Sequence, residues 1–76
     1  MDSNSLILKK FGQRVRQLRY QEGYSQEELA DRAGVHRTYI GMIERAEKNI
    51  TLLKIEKVAK ALNIRLTDLF TPEIFD

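Results

Sequence analysis

The sequence predicts an all-α domain of five short helices, with the second and third joined by a tight turn within about residues 25–46. Three observations predict it. Apolar residues recur at helical spacing in each long stretch, helix-starting and helix-stopping residues bracket those stretches, and 76 residues leave room for one core. A chain of this size buries only about three-fifths of its unfolded surface, so self-association would help it.

The first five residues are polar and read as a frayed end, with Asn4 or Ser5 available as a cap. Leu8, Phe11, Val15 and Leu18 then follow an i, i+3, i+7, i+10 pattern, which predicts an amphipathic helix over residues 6–22 with Gly23 as its stop. Lys9, Lys10, Arg14, Arg16 and Arg19 crowd this helix, whereas Asp68, Glu73 and Asp76 make the far end acidic. A solvated face explains Lys9, Lys10 and Arg14 as well as a ligand does.

Ser25 stands three residues before Glu28, the spacing at which hydroxyl and carboxylate cap each other's backbone N–H. A second helix therefore starts there, with Leu29, Ala30 and Ala33 on one stripe and Gly34 as its stop. Val35, Ile40 and Ile43 mark the buried side of a third helix, from His36 or Arg37 to Arg45 or Ala46. Its other face carries Arg37, Thr38, Gly41 and Met42, too polar at the start for packing alone. A guanidinium and a hydroxyl in that first turn suit the major-groove edges of DNA bases.

Thr51 caps a fourth helix whose stripe is Leu52, Ile55, Val58, Ala59 and Leu62, with Lys54, Lys57 and Lys60 toward water and Asn63 at its end. Residues 64–70 supply the fifth, and Pro72 disfavours further regular helix. The fourth and fifth helices, about 52–71, are read as core and dimerisation elements of a single domain spanning 1–76.

Composition narrows the function. With no cysteine and one histidine, disulfides, thiolate metal sites and zinc fingers are excluded. No apolar run is long enough to cross a bilayer, and the N-terminus lacks a signal-peptide core, so a cytoplasmic location is expected. A net charge of +2 does not argue for nucleic acid by itself. There is no glycine-rich phosphate loop and no catalytic constellation, so neither an enzyme nor a cofactor is expected.

Gln26-Glu27-Glu28-Leu29-Ala30, Ala33-Gly34, Ile40 and Ile43-Glu44-Arg45 resemble the lambda-repressor-like (Cro/C1, or XRE) helix-turn-helix family over nearly the whole chain. Within it, His36-Arg37-Thr38-Tyr39-Ile40 and Asn49-Ile50-Thr51 are similar to the controller proteins of bacterial restriction-modification systems. The resemblance implies a compact five-helix DNA-binding fold. It implies base contacts from Arg37, Thr38 and Met42, and backbone contacts from Gln26, His36, Tyr39, Arg45, Lys48 and Asn49. For Tyr39 a packing role is an equal alternative. The resemblance also implies a structural ion pair between Arg19 and Glu44. Where many relatives carry glycine, this chain has Ala46, so the expectation is a longer helix or a rerouted loop.

Leu53, Ile64, Leu66, Phe70, Ile74 and Phe75 exceed what a small core needs, and a symmetric dimer is the expected use of them, with finishing the core as the plainer one. The expected protein is thus a homodimeric transcriptional regulator, bacterial or phage in origin and nucleoid-associated when bound. It reads a palindromic operator and acts by occlusion or by contact with RNA polymerase. The alternative is the antitoxin of a toxin–antitoxin pair, whose apolar end binds a toxin.

Overall fold

The computed structural model describes residues 5–75, apart from the side chain of Ile74. The expected frayed residues Met1 to Asn4, the alternative cap Asn4 and the terminal Asp76 lie outside the described residues. Four α-helices follow in order: α1 (Leu6–Glu22), α2 (Gln26–Ala33), α3 (Arg37–Glu44) and α4 (Leu52–Ala61). The described residues hold no strand.

The expected fifth helix is not there. Residues Leu66–Leu69 form a 3-10 turn instead, followed by one helical turn at Pro72–Phe75. Local chemistry explains this. Asn63 turns the chain at φ 59°, the Asp68 carboxylate accepts from the Arg65 N–H at 3.0 Å, and Thr71 precedes a proline, which disfavours the α conformation. Pro72 does not exclude helix either: it opens the last turn, where a missing N–H costs nothing.

All four helices close in the same way. The pairs Gly23/Tyr24, Gly34/Val35, Ala46/Glu47 and Asn63/Ile64 donate back to carbonyls of the preceding turn, with N···O distances of 2.8–3.3 Å, and the first residue of each pair takes a φ of 59–74°. This is the left-handed closure that favours glycine or asparagine. Ala46 keeps it at φ 60°, so the helix neither lengthens nor leaves the glycine-like path. The left-handed strain costs about 1–2 kcal/mol, and burying the alanine methyl recovers roughly 0.8 kcal/mol of it.

The starts are as specific as the ends. Ser25 Oγ accepts from the Glu28 N–H at 3.0 Å while Glu28 accepts from the Ser25 N–H at 2.9 Å, and Thr51 Oγ1 accepts from the Lys54 N–H. The Ser25 hydrogen bonds hold the Glu28 carboxyl below its ordinary pKa. Ser5 stands at the N-cap of α1 but makes no side-chain cap.

Phe11, Val15, Leu18, Leu29, Ile40, Ile43, Val58, Leu62 and Leu69 form one core under all four helices. Leu52, assigned to the stripe of α4, is 72% exposed, because the first turn of that helix projects beyond the core. Gly12 lies where α1 crosses the end of α3. A Cβ there would strike the Ile43 carbonyl oxygen and stand 2.9 Å from that of Glu44, so the helices approach closer than any other residue allows. Arg14 reaches from α1 to the opposite end of the chain, donating through Nη2 and Nε to the Asp68 carbonyl at 2.8 and 3.2 Å.

Candidate nucleic-acid interface

The start of α3 is built by one histidine. His36 Nδ1 accepts from the Thr38 N–H at 3.0 Å, which orients the exposed ring and leaves Nε2 as its other polar atom. Arg37 and Thr38 follow directly, both exposed. Arg37 rests beside Glu27 of α2, with Nη1 to Oε2 at 3.6 Å and both side chains about two-thirds exposed (65% and 66%), a pairing too solvated to hold it. An open cleft of about 340 Å³ lies between them, lined by Glu27, Asp31, Val35, His36 and Arg37. Arg37 is therefore free to exchange a carboxylate for another acceptor.

The later residues of α3 divide by burial. Tyr39 is half-buried against the core with Lys54 Nζ 5.5 Å from its ring centroid, and burial pushes its phenol pKa up. Met42 is half-buried as well. Gly41 is buried, and its missing Cβ leaves room for Arg45 Nη1 and Gln26 Oε1, which would lie 3.0 and 3.5 Å from such an atom. Arg45 is exposed but engaged: Nε and Nη2 donate to the two oxygens of Glu47 at 3.1 and 3.2 Å, and those bonds raise its pKa. Lys48 is exposed. Asn49 stands at a separate apolar hollow of about 180 Å³, walled by Ile7, Phe11, Ile55 and Phe70.

Behind this surface sits a buried polar junction. Arg19 grips Glu44 with both edges of the guanidinium, Nε to Oε2 at 2.7 Å and Nη2 to Oε1 at 3.0 Å, while Nη1 donates to the Tyr24 carbonyl at 2.9 Å. The two side chains are 8% and 0% exposed. Gln26 Nε2 donates to Oε1 of the same carboxylate at 3.1 Å, and Arg16 Nε does so at 3.3 Å. Burial opposes the charge on Glu44, but the hydrogen bonds from Arg19, Gln26 and Arg16 and the charge of Arg19 outweigh it and keep the carboxyl below its usual range. Arg19 is raised by its bond to Glu44, against burial. No buried side-chain nitrogen or oxygen lacks a partner among the described residues.

The structure thus brings Arg19, Gln26 and Glu44 together, and sets His36, Arg37 and Thr38 on one exposed turn. Sequence reasoning missed Arg16. The signal was present: Arg16 lies three residues before Arg19, hence on the same helical face. Of the apolar residues assigned to self-association, Leu53, Leu66 and Phe70 are exposed (73%, 40% and 38%), and Leu52 joins them. Ile64 and Phe75 instead pack against the core, Phe75 through Phe70 at 5.2 Å between ring centroids, and Phe70 stacks on Phe11 at 5.5 Å. The side chain of Ile74 lies outside the described residues. Among the described residues no cluster of His, Asp or Glu has a metal-binding arrangement, and no helix is long and apolar enough to cross a membrane.

Comparison with known proteins agrees with this geometry. The chain is 50% identical over 70 residues to the control protein C.BamHI of Bacillus amyloliquefaciens, an alignment covering 91% of this chain and 84% of that one. It is 49% identical over 57 residues to the control protein C.SmaI of Serratia marcescens, covering 75% and 68%. The crystal structure of the restriction-modification controller protein C.AhdI from Aeromonas hydrophila superposes with a TM-score of 0.85 at 47% identity, over 87% of this chain and all (100%) of that one. The helix-turn-helix family profile matches residues 15–69, from the middle of α1 through the 3-10 turn, and with these relatives it establishes that the chain belongs to the helix-turn-helix family.

Proposed function

We propose that this protein is a DNA-binding transcriptional regulator that reads a palindromic operator as a homodimer and serves as the controller of a restriction-modification system. One observation carries the reading: a histidine-capped helix start presents Arg37 and Thr38 to solvent beside Glu27, on a helix tied to α1 by the Arg19–Glu44 pair. Arg37 leaves Glu27 and donates to guanine O6 and N7, Thr38 and Met42 supply further base contacts, and His36 Nε2–H faces phosphate. Gln26, Arg45, Lys48 and Asn49 line the DNA backbone. Tyr39 is the weakest of the backbone set, since its ring is committed to packing. Controller relatives support the regulatory role, which is non-enzymatic and cytoplasmic and operates through promoter occlusion or contact with RNA polymerase.

Leu52, Leu53, Leu66 and Phe70 supply the dimer contact, and a two-fold axis there sets the recognition helices about 34–36 Å apart, one turn of DNA. The test is a fluorescence-anisotropy titration of DNA from upstream of the protein's own gene against a scrambled duplex, at two salt concentrations. The expected result is preference for the upstream duplex, weakening with salt. Arg37→Ala removes preference at the base positions it reads, about 1–3 kcal/mol, whereas uniform weakening across sequences reassigns it to phosphate. Equal weak binding to both duplexes, with a co-purifying toxin, moves the function to the antitoxin class.

A further inference from the structure

Arg16 has no part in the reading so far, yet its position is the least explained by folding alone. Arg19 already satisfies both oxygens of Glu44, and Gln26 adds a third donor. Arg16 contributes only Nε, at 3.3 Å, and its side chain stays 47% exposed. The rest of its guanidinium has no hydrogen-bond partner in the described structure, and the junction holds two guanidinium charges against one carboxylate. Because Arg16 Nε and Gln26 Nε2 share the single atom Glu44 Oε1, their head groups lie side by side at the edge of the recognition surface.

We propose that Arg16 is a phosphate-contacting residue of the DNA interface, aimed by Glu44 so that its outer nitrogens and the Gln26 amide meet the same stretch of DNA backbone. The inference rests on the DNA-binding reading above. Arginine suits the task because its planar fork spends one edge on the protein and keeps the other for a phosphate oxygen. Glu44 then acts twice, as the buried partner of Arg19 and as the positioning residue for Arg16 and Gln26.

The experiment measures log K against log salt for a mixed-sequence duplex two major grooves long, using wild-type protein, Arg16→Gln and Arg16→Lys, with thermal melting of each. Glutamine keeps a donor for Glu44 but removes the charge. Arg16→Gln is expected to flatten the salt slope by about 0.9 per protomer, to weaken binding to all sequences alike, and to melt within a few degrees of wild type. Arg16→Lys restores most of the slope. An unchanged slope in Arg16→Gln overturns the proposal, as does a loss of thermal stability as large as that of Arg19→Gln, melted alongside as the structural control, which makes the residue structural. Failure of wild-type protein to bind DNA with any salt dependence overturns the DNA-binding reading itself, so the two failures are distinct.

Discussion

The junction between α1 and α3 and the exposed end of α4 with the 3-10 turn are opposite solutions to the problem of a small domain. At the junction, charge is buried and every buried side-chain donor among the described residues finds an acceptor. At the other end, Leu52, Leu53, Leu66 and Phe70 leave apolar surface in water, the surface proposed for association. The first region fixes how the recognition helix is carried. The second is where a proposed partner copy would add the burial that a 76-residue core has little room for.

Removing one charge from the junction breaks this contrast most severely. Glu44→Gln leaves Arg19 buried without its counter-ion, an expected loss of about 3–5 kcal/mol in urea denaturation; full wild-type stability would show that the pair does not hold the fold. The carboxyl is depressed in the folded protein, so its contribution is present above the ordinary carboxylate pKa of about 4.3 and is lost as pH falls from there through the folded value. Glu44→Gln flattens that acid limb, measurable by denaturation across pH. Next, Gly12→Ala sets a methyl against two backbone carbonyls that have no rotamer to yield, and the expected cost is about 1–3 kcal/mol.

The exposed end responds in the other way. Leu53→Ser changes monomer stability by less than about 0.5 kcal/mol but raises the dimer dissociation constant tenfold or more by sedimentation, about 1.4 kcal/mol. A monomeric wild type would remove that side of the comparison. The smallest effect falls between the regions. Ala46→Gly relieves left-handed strain, but it loses a buried methyl and gives the unfolded chain about 0.4–1 kcal/mol of extra freedom, so the net change in stability, read from the unfolding midpoint, is less than about 0.5 kcal/mol.

What could be read from the sequence was whatever chemistry lies within one helical turn. The Ser25–Glu28 box, the stops at Gly23 and Gly34 and the Thr51 cap each involve groups at most a few residues apart, and the end of α1, both ends of α2 and the start of α4 followed from them. The errors have distant causes. Leu52 fits the stripe of α4, and only the position of the core shows that the stripe starts too early. The need for Gly12 lies in carbonyls 31 and 32 residues away. Ala46 keeps a glycine conformation because the surrounding packing, not its own preference, decides. The exposed start of α3 at His36, Arg37 and Thr38 was readable because its residues are consecutive. The four-member arrangement at Glu44 was not, because α1 contributes two of its members and only one stood out.

Arg14 and Asp68 are 54 residues apart, and the bond between them has a consequence for synthesis. Chains emerge N-terminus first, at about 5–20 residues per second. After residue 14 is made, roughly 3–11 s pass before residue 68 exists to receive it. The helix-turn-helix pair needs only its neighbours and can form meanwhile, while the apolar stripe of α1 waits for Leu69 and for Phe70, which stacks on Phe11, to be added.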